Sequence, residues 1–258
     1  MEVVILPSPS EVCGAGADAV ARLVARKPDA VLGLPTGSTP RPMYAELARR
    51  HRDEGLSFAR VTTFNLDEYV GIEPAHPGSF RRYMDEAFFR HVDLPPGRAH
   101  VPDGLAADVP ASCAAYEAAI GAAGGLDLVL LGLGEDGHIA FNEPTSSLAS
   151  RTRIKTLSAA SRAANQAAFG ADAIPGHVIT MGIATILEAR RVVLLAHGAR
   201  KARAFAAMVE GPVTSMVPAS ALQLHPAVTV VADEAAAAAL TLRDYYRDVQ
   251  AAKPPWQR

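Results

Sequence analysis

Continuous apolar runs recur along the chain and alternate with longer stretches of helical character, and this order constrains the fold more than any other feature. A strand that is covered on both faces reads as an unbroken apolar run, because neither face meets water. The predicted strands lie at 3–6, 30–34, 61–66, 126–133, 178–181, 192–196 and 228–232. The predicted helices lie near 10–26, 40–53, 79–91, 109–122, 159–169, 199–210 and 234–247.

This alternation predicts an α/β protein, a three-layer α/β/α sandwich with a mainly parallel, Rossmann-like sheet. No linker rich in Pro, Gly or Ser divides the 258 residues, so we expect a single domain over residues 1–258. Ligands of such sheets bind beyond the carboxyl ends of the strands. Functional residues are therefore expected in the loops that follow strands.

Charge and cysteine content argue against several classes of partner. The formal net charge is −2 and the basic residues are scattered, which disfavours nucleic-acid binding. Cys13 and Cys113 are too few for a disulfide framework, and neither belongs to a metal-ligand pattern. The first apolar run is too short for a signal peptide, and no window has the roughly 18 apolar residues of a membrane span. We expect a cytoplasmic protein with no metal and no membrane partner.

The loop after the second predicted strand has the composition of an anion site. Thr39 is predicted to cap the next helix, with Pro40 at its first position. The N–H groups of Gly37, Ser38 and Thr39, with the hydroxyl of Thr36 nearby, would then face an anion such as phosphate. No Gly-Lys-Ser/Thr follows, so a nucleoside triphosphate is disfavoured. An ordinary capped turn is the alternative.

Two adjacent carboxylates, Asp67 and Glu68, follow the third predicted strand. Partly buried neighbouring carboxylates raise each other's pKa, which suits a general base. Asp67 is the candidate for this role. The alternative is that both acids are solvated or cap a helix, as acids in loops commonly are.

The segment 132–144 carries a third group of candidates. Its glycines spell G-x-G-x-x-G, but Pro144 cuts the segment short and a basic stretch stands where a dinucleotide site needs an acid. Asp136, His138 and Glu143 instead lie within eight residues. A histidine flanked by two carboxylates can be oriented by one of them and can carry a proton near neutral pH. These three residues predict acid–base chemistry.

Several long motifs in a fixed order carry a family resemblance, at 33–40, 65–71, 76–80, 132–144, 150–157 and 220–226. Over nearly its full length the chain resembles the glucosamine-6-phosphate deaminases, also called glucosamine-6-phosphate isomerases. The resemblance implies an enzyme of amino-sugar catabolism that acts on a small sugar phosphate, with no metal or organic cofactor. Its reaction converts glucosamine 6-phosphate and water to fructose 6-phosphate and ammonium, an isomerase chemistry that we also expect to be classed as a hydrolase.

The resemblance also implies roles for individual residues. His138 would open the sugar ring, with Asp136 and Glu143 setting its orientation and charge. Asp67 would move a proton from carbon 2 to carbon 1 of the open chain. Lys201 matches the phosphate-binding lysine of the family.

A lid segment near 156–175 departs from the family pattern. Family members usually carry an arginine shortly before the position of Phe169, and this arginine contacts phosphate. Ala167 or Ala168 stands in its place here. Arg162, about one and a half helical turns earlier, is the predicted substitute.

Ser146, Arg153 and Lys155 match the anion-binding positions of an allosteric pocket for N-acetylglucosamine 6-phosphate. In the family this pocket lies at subunit interfaces of hexameric members, and monomeric members without regulation also exist. A regulated homo-oligomer and a protein with plain surface residues at these positions are both left open.

Two other functions compete with the deaminase. A 6-phosphogluconolactonase on the same fold usually carries Asp-Glu-Arg where this chain has Asp67-Glu68-Tyr69, and it lacks the continuation 141–144. A sugar-phosphate sensor without turnover would need a DNA-binding or partner domain. The two differences from the lactonases, and the extra domain that a sensor would need, favour the deaminase.

Overall fold

The computed structural model describes residues 1–254, apart from the side chain of Ala164. The last four residues of the predicted domain therefore lie outside the described part. The strands are β1 (Glu2–Leu6), β2 (Val31–Leu34), β3 (Thr62–Asn65), β4 (Asp67–Tyr69), β5 (Ala99–His100), β6 (Leu128–Gly132), β7 (Arg153–Thr156), β8 (His177–Thr180), β9 (Val192–Ala196) and β10 (Val228–Asp233). The α-helices are α1 (Pro9–Arg26), α2 (Arg41–Glu54), α3 (Phe80–Ala87), α4 (Val109–Ala122), α5 (Ala159–Asn165), α6 (Ile183–Leu187), α7 (Ala202–Glu210) and α8 (Arg243–Ala251).

Seven strands form the central sheet, in the order β1-β10-β9-β6-β2-β3-β5, and all six neighbouring pairs are parallel. The register pairs Leu34 with Asn65 and Val129 with Val192. The predicted mainly parallel sheet is thus confirmed. Within residues 1–254, none of the helices combines the length and the apolar character that a bilayer crossing requires.

Successive residues of the central strands pack into different layers. Leu128 and Leu130 of β6 join a core with α1, α2 and α3, whereas Val129 and Leu131 join a second core with α4, α6 and α7. Side chains alternate between the two faces of a strand, so a helix layer on each face requires apolar residues throughout. The three-layer sandwich predicted from the continuous runs is therefore present.

A second sheet of three antiparallel strands, in the order β4-β8-β7, stands beside the carboxyl edge of the first. The sequence predicts β8 as a strand, but places it in the parallel sheet. That placement is wrong, because β8 pairs with β4 and β7 and with no strand of the central sheet. β4, β5 and β7 are short or partly polar and are missed by apolar patterning.

The last predicted helix begins later than expected. Residues 234–239 form turns, and α8 starts only at Arg243. The side chain of Asp233 accepts a hydrogen bond from the backbone N–H of Ala236 (2.7 Å), which favours a turn directly after β10. The prediction of a continuous helix over 234–247 is thus wrong in its first half.

Asp127 joins three segments at the end of the sheet opposite to the predicted site. Its buried carboxylate accepts hydrogen bonds from Lys27 Nζ (2.6 Å), from the backbone N–H of Val31 (2.8 Å) and from Arg190 Nη1 (2.5 Å). Burial alone would raise the pKa of this carboxyl, but these three donors lower it below its usual value. The ionised form of Asp127 therefore stabilises the fold.

We predict that Asp127→Asn lowers the free energy of unfolding at pH 7 by about 1–3 kcal/mol, because it removes charge-assisted hydrogen bonds. A carboxyl with a lowered folded pKa contributes stability above its unfolded pKa of about 3.9 and loses it as pH falls through the folded value. The difference from wild type should hence shrink below about pH 4. Urea unfolding at pH 7 and pH 3.5 measures it. Asp53→Asn, which breaks an exposed pair with Arg52, is the control and should change stability by less than about 0.5 kcal/mol.

Candidate active site

The three loops singled out by sequence follow adjacent strands of the central sheet. β6 pairs with β2, and β2 pairs with β3, so residues 35–40, 66–71 and 133–144 leave the sheet at the same edge. Lys201 follows β9, the other neighbour of β6. The predicted residues of these loops are therefore gathered at one end of the sheet.

Asp67 is buried where β4 meets the loop after β6. Its Oδ1 accepts a hydrogen bond from the backbone N–H of Phe141 (3.2 Å). The same N–H contacts Oγ1 of Thr180 (3.0 Å), the residue that pairs with Asp67 across β4 and β8. The Thr180 hydroxyl in turn donates to the Asp67 carboxylate. Asp67 and the loop that carries His138 are thus in direct contact.

Burial raises the pKa of Asp67 to about 7. The hydrogen bonds from Thr180 and from the Phe141 N–H, and the charge of His138, act in the opposite direction. The charge of Glu68 makes only the smallest contribution to the rise. The sequence predicts a raised pKa from two adjacent carboxylates, but the main physical cause is loss of water around Asp67. A carboxyl with this pKa can accept and return a proton at neutral pH.

The peptide group that contacts Asp67 follows a strained residue. Ala140 has a φ of 51°, in the left-handed region that residues with a Cβ seldom adopt. This conformation reverses the chain ahead of Phe141, whose N–H then faces Asp67. Strain of this kind persists where surrounding contacts require it.

Glu68 points to the other face of β4 and has a structural partner. Its carboxylate accepts hydrogen bonds from Ser79 Oγ (2.8 Å) and from the backbone N–H groups of Phe80 (3.1 Å) and Arg81 (2.9 Å). These are the unpaired donors at the start of α3, where negative charge is favoured. Glu68 therefore attaches α3 to the strand that carries Asp67, the capping role left open as the alternative for this pair.

His138 lies beside Asp136 and over a glycine. Its Nδ1 is 2.6 Å from Asp136 Oδ1, an ion-pair distance when the imidazole is protonated. The same oxygen accepts the backbone N–H of His138 (3.2 Å). A Cβ on Gly134 would stand 2.3 Å from the imidazole Nδ1, so only glycine leaves room for the ring. Burial would raise the pKa of Asp136, but the adjacent His138 lowers it, and Asp136 stays ionised beside the imidazole.

Glu143 bonds to the predicted lid. Its carboxylate accepts hydrogen bonds from Ser158 Oγ (2.7 Å) and Ser161 Oγ at the start of α5. The sequence predicts that Asp136 and Glu143 both orient His138. In this structure Asp136 contacts the imidazole, whereas Glu143 anchors the segment that follows β7.

The loop 36–39 is exposed at Gly37 and Ser38 and half-buried at its ends, and its backbone at Gly37 has a conformation that favours glycine. Gly37 has a φ of 110°, and its carbonyl accepts a hydrogen bond from the hydroxyl of Tyr83 (2.6 Å). The prediction that Thr39 caps the next helix is wrong, because Pro40 occupies the cap position and no side chain caps α2. The first N–H groups of α2 are left without a side-chain acceptor, so the helix end still suits an anion. Ser38 is exposed in the turn that follows Gly37, whereas Thr36 precedes this turn and is half-buried.

The two cations predicted to bind phosphate differ in their surroundings. Lys201 is half-buried, and this burial lowers its pKa against the charges of Glu135 and Asp136, which raise it. It therefore stands close to the His138 loop. Arg162 lies on α5 and donates from Nη1 to the carbonyl of Leu157 (2.9 Å), within the predicted lid.

Aromatic side chains cover the site next to the base. Tyr69 lies 4.7 Å from Phe80 and 5.1 Å from Phe169, measured between ring centroids, and Phe141 packs against the same group. Gly78 makes this packing feasible, because a Cβ there would stand 2.6 Å from the ring of Phe169. Phe169, in the segment 156–175, is thereby packed against the strand that carries Asp67.

Ser146, Arg153 and Lys155 lie outside this group. Arg153 and Lys155 lie two residues apart on β7, where side chains share a face. Arg153 Nη1 donates to Oδ1 of Asn142 (2.9 Å), and burial lowers the pKa of Arg153. Ser146 is buried, and its hydroxyl has no hydrogen-bond partner within the described residues. Their role as an anion pocket stays a prediction.

Several residues of the site are not apparent from sequence reasoning. Thr180 and the backbone of Phe141 reach Asp67 only through strand pairing and a reversed chain, and Ser158 and Ser161 reach Glu143 through the fold. The Ser-x-x-Ser spacing at the start of α5 was the only available signal for the last two. Within residues 1–254, no group of three or more His, Cys, Asp or Glu side chains is arranged to hold a metal ion.

Known proteins resemble the chain from end to end. A glucosamine-6-phosphate deaminase of Arthrobacter sp. strain FB24 is 57% identical over 258 residues, which cover 100% of this chain and 99% of that protein. Another, of Mycolicibacterium smegmatis, is 54% identical over 259 residues with the same coverage. The solved structure of a monomeric glucosamine-6-phosphate deaminase has a TM-score of 0.90 at 44% identity, covering 93% of this chain and 100% of that one.

The match to the family extends over most of the sequence. The family model for glucosamine-6-phosphate isomerases/6-phosphogluconolactonase covers residues 9–231. This match and the full-length identity of the relatives agree with the motifs at the carboxyl edge of the sheet. The chain therefore belongs to the glucosamine-6-phosphate isomerase/6-phosphogluconolactonase family.

Proposed function

We propose that the chain is a glucosamine-6-phosphate deaminase, which converts glucosamine 6-phosphate and water to fructose 6-phosphate and ammonium. Relatives that carry this name match the whole chain at 54–57% identity. The observation that carries the proposal is the buried Asp67, whose pKa is about 7 and which bonds to the loop of His138. Because of this contact, a carboxylate that can act as a base near neutral pH lies next to the loop that carries an imidazole.

The first step is opening of the sugar ring, which needs a proton donor and acceptor at the ring oxygen and the anomeric hydroxyl. His138 is suited to this step because it is partly exposed and is held by Asp136 and Gly134. General acid–base catalysis of this kind contributes typically 10²–10⁴-fold.

The second step moves a proton along the open chain. Asp67 takes the proton from carbon 2 and returns it to carbon 1, through an enolamine in which the nitrogen stays on carbon 2. Water then adds to carbon 2 of the resulting imine, and the carbon–nitrogen bond breaks to release ammonium. A buried carboxylate is an effective base here, because it is shielded from water and fixed in position.

Binding of the phosphate holds the sugar in place for these steps. The N–H groups at 37–39, just before α2, and the amino group of Lys201 are the groups suited to a phosphate at the far end of the substrate. Binding energy gained there can be used to orient carbon 2 against Asp67.

A lactonase is the alternative function. The structure of a 6-phosphogluconolactonase from Trypanosoma cruzi shares the fold at a TM-score of 0.74, but at 22% identity this likeness concerns the fold alone. Incubation with glucosamine 6-phosphate, with ammonia and fructose 6-phosphate measured in parallel, separates the two. Rapid hydrolysis of 6-phosphogluconolactone without ammonia release would overturn the deaminase.

We predict that kcat/KM rises with pH through about pH 7, because Asp67 must be ionised to accept the proton. Asp67→Asn should lower kcat at least about 10³-fold and leave binding of glucosamine 6-phosphate within about tenfold, since the amide keeps the shape but cannot accept a proton. Thr180→Val removes a donor that lowers this pKa, so the rise should move to higher pH. Steady-state kinetics and calorimetry test both variants. An unchanged pH profile in Thr180→Val, or full activity in Asp67→Asn, would contradict the assignment of the base.

The raised pKa of Asp67 also predicts a pH-dependent gain in stability for Asp67→Asn. A carboxyl with a folded pKa of about 7 contributes stability fully below its unfolded pKa of about 3.9 and loses it as pH rises through 7. The variant avoids this loss, so its advantage over wild type should grow from pH 5 to pH 8, on the order of 2–4 kcal/mol. Urea unfolding at the two pH values measures it. The opposite pH trend of Asp127→Asn is the matched control, and an advantage that is equal at both pH values would count against a buried neutral Asp67.

We predict that Gly134→Ala lowers kcat by about 10²-fold with the fold intact, because the new methyl group displaces the imidazole of His138. Gly132→Ala, two residues earlier, is the control, since no atom lies within 4 Å of its added Cβ. Kinetics and thermal unfolding compare the two variants. Equal activity in both would show that the position of His138 does not limit turnover.

A further inference from the structure

Helix α2 begins with a cation where most helices favour an anion. Arg41 is its first residue, no acidic residue lies in its first turn, and no side chain caps it. The N-terminus of a helix carries about half a positive charge, so an arginine there adds repulsion unless an anion is bound. The charges at this end of α2 are therefore suited to a negatively charged ligand from outside the chain.

Arg41 is held beside the exposed loop by one aromatic ring. Its guanidinium carbon lies 5.1 Å from the centroid of the Tyr83 ring. The hydroxyl of the same tyrosine donates to the carbonyl of Gly37 (2.6 Å). Tyr83 thus contacts both the loop and the arginine. The guanidinium of Arg41 also donates a hydrogen bond to the Tyr83 hydroxyl. Stacking fixes the plane of a guanidinium, and its remaining N–H groups can bind phosphate oxygens.

The charge of Arg41 is not neutralised within the protein. No carboxylate lies within 4.0 Å of its guanidinium in the described part of the chain, whereas Arg49 and Arg50 of the same helix both pair with Glu46 at 2.8 Å. The charge of Arg41 contributes to a lowered pKa of Glu86, but the carboxylate of Glu86 already pairs with Arg82 at 2.9 Å. Arg41 is also exposed, so an incoming anion can reach it.

We propose that Arg41 contacts the phosphate of the substrate and sets the preference for phosphorylated sugars, an inference that rests on the proposed function. A phosphate monoester carries about −1.5 to −2 charges at pH 7, so one cation does not balance it. Lys201 supplies one positive charge, and Arg41, which follows the loop 36–39 at the start of α2, supplies the second. Arg162, the substitute predicted from sequence, is instead engaged with the carbonyl of Leu157 on the lid.

The test compares Arg41→Gln with Arg22→Gln, since Arg22 is another exposed arginine, located on α1. Arg41→Gln should raise the KM for glucosamine 6-phosphate about tenfold or more and leave kcat within about twofold, because the phosphate lies away from the reacting carbons. Arg41→Lys should recover part of the affinity, since it keeps the charge but not the planar fork. Arg22→Gln should match wild type in both parameters.

Binding is measured separately from turnover, so that the two proposals can fail independently. In calorimetry on Asp67→Asn, adding Arg41→Gln should weaken binding of glucosamine 6-phosphate by the same factor and should leave binding of unphosphorylated glucosamine unchanged. Thermal unfolding checks that each variant is folded. Wild-type deamination with unchanged KM and affinity in Arg41→Gln would overturn the role of Arg41 alone. Absence of deamination in the wild type would overturn the proposed function.

Discussion

One backbone N–H group, that of Phe141, connects the parts of the candidate site. It contacts Asp67 of β4 and Thr180 of β8, and it belongs to the loop that leaves β6 and carries His138. Two sheets and the loop between them are therefore joined at the carboxyl group that we assign as the base. The left-handed conformation of Ala140 is needed to turn this N–H inward, so local strain is offset by contacts on both sides.

The two adjacent acids of β4 have different roles, because they differ in their surroundings and in the face of the strand on which they lie. Asp67 faces the site, receives few donors and has its pKa raised to about 7 by loss of water. Glu68 faces away and accepts four hydrogen bonds, three of them from the first residues of α3 and its cap. One carboxylate is thus suited to proton transfer, and its neighbour determines where a helix begins. Period-two alternation along a strand is sufficient to separate these roles.

Much of the architecture could be predicted from the sequence because burial on both faces leaves a clear pattern. Six of the seven predicted strands belong to the central sheet, and the three candidate loops do leave it at one edge. Strands such as β4 and β7 are short and polar, so they depend on pairing that local sequence does not reveal. The same limit applies to the site. Residue types and their order predict Asp67 and His138, but the partners of Asp67 and Glu143 come from distant segments.

Helix α3 touches both ends of the candidate site. Its first turn is attached to Glu68, next to Asp67, and Tyr83 one turn later is bonded to the loop at Gly37. The strand that carries Asp67 and the loop assigned to phosphate are thus both attached to one helix of eight residues. A substitution that moves α3 would therefore disturb the two attachments together.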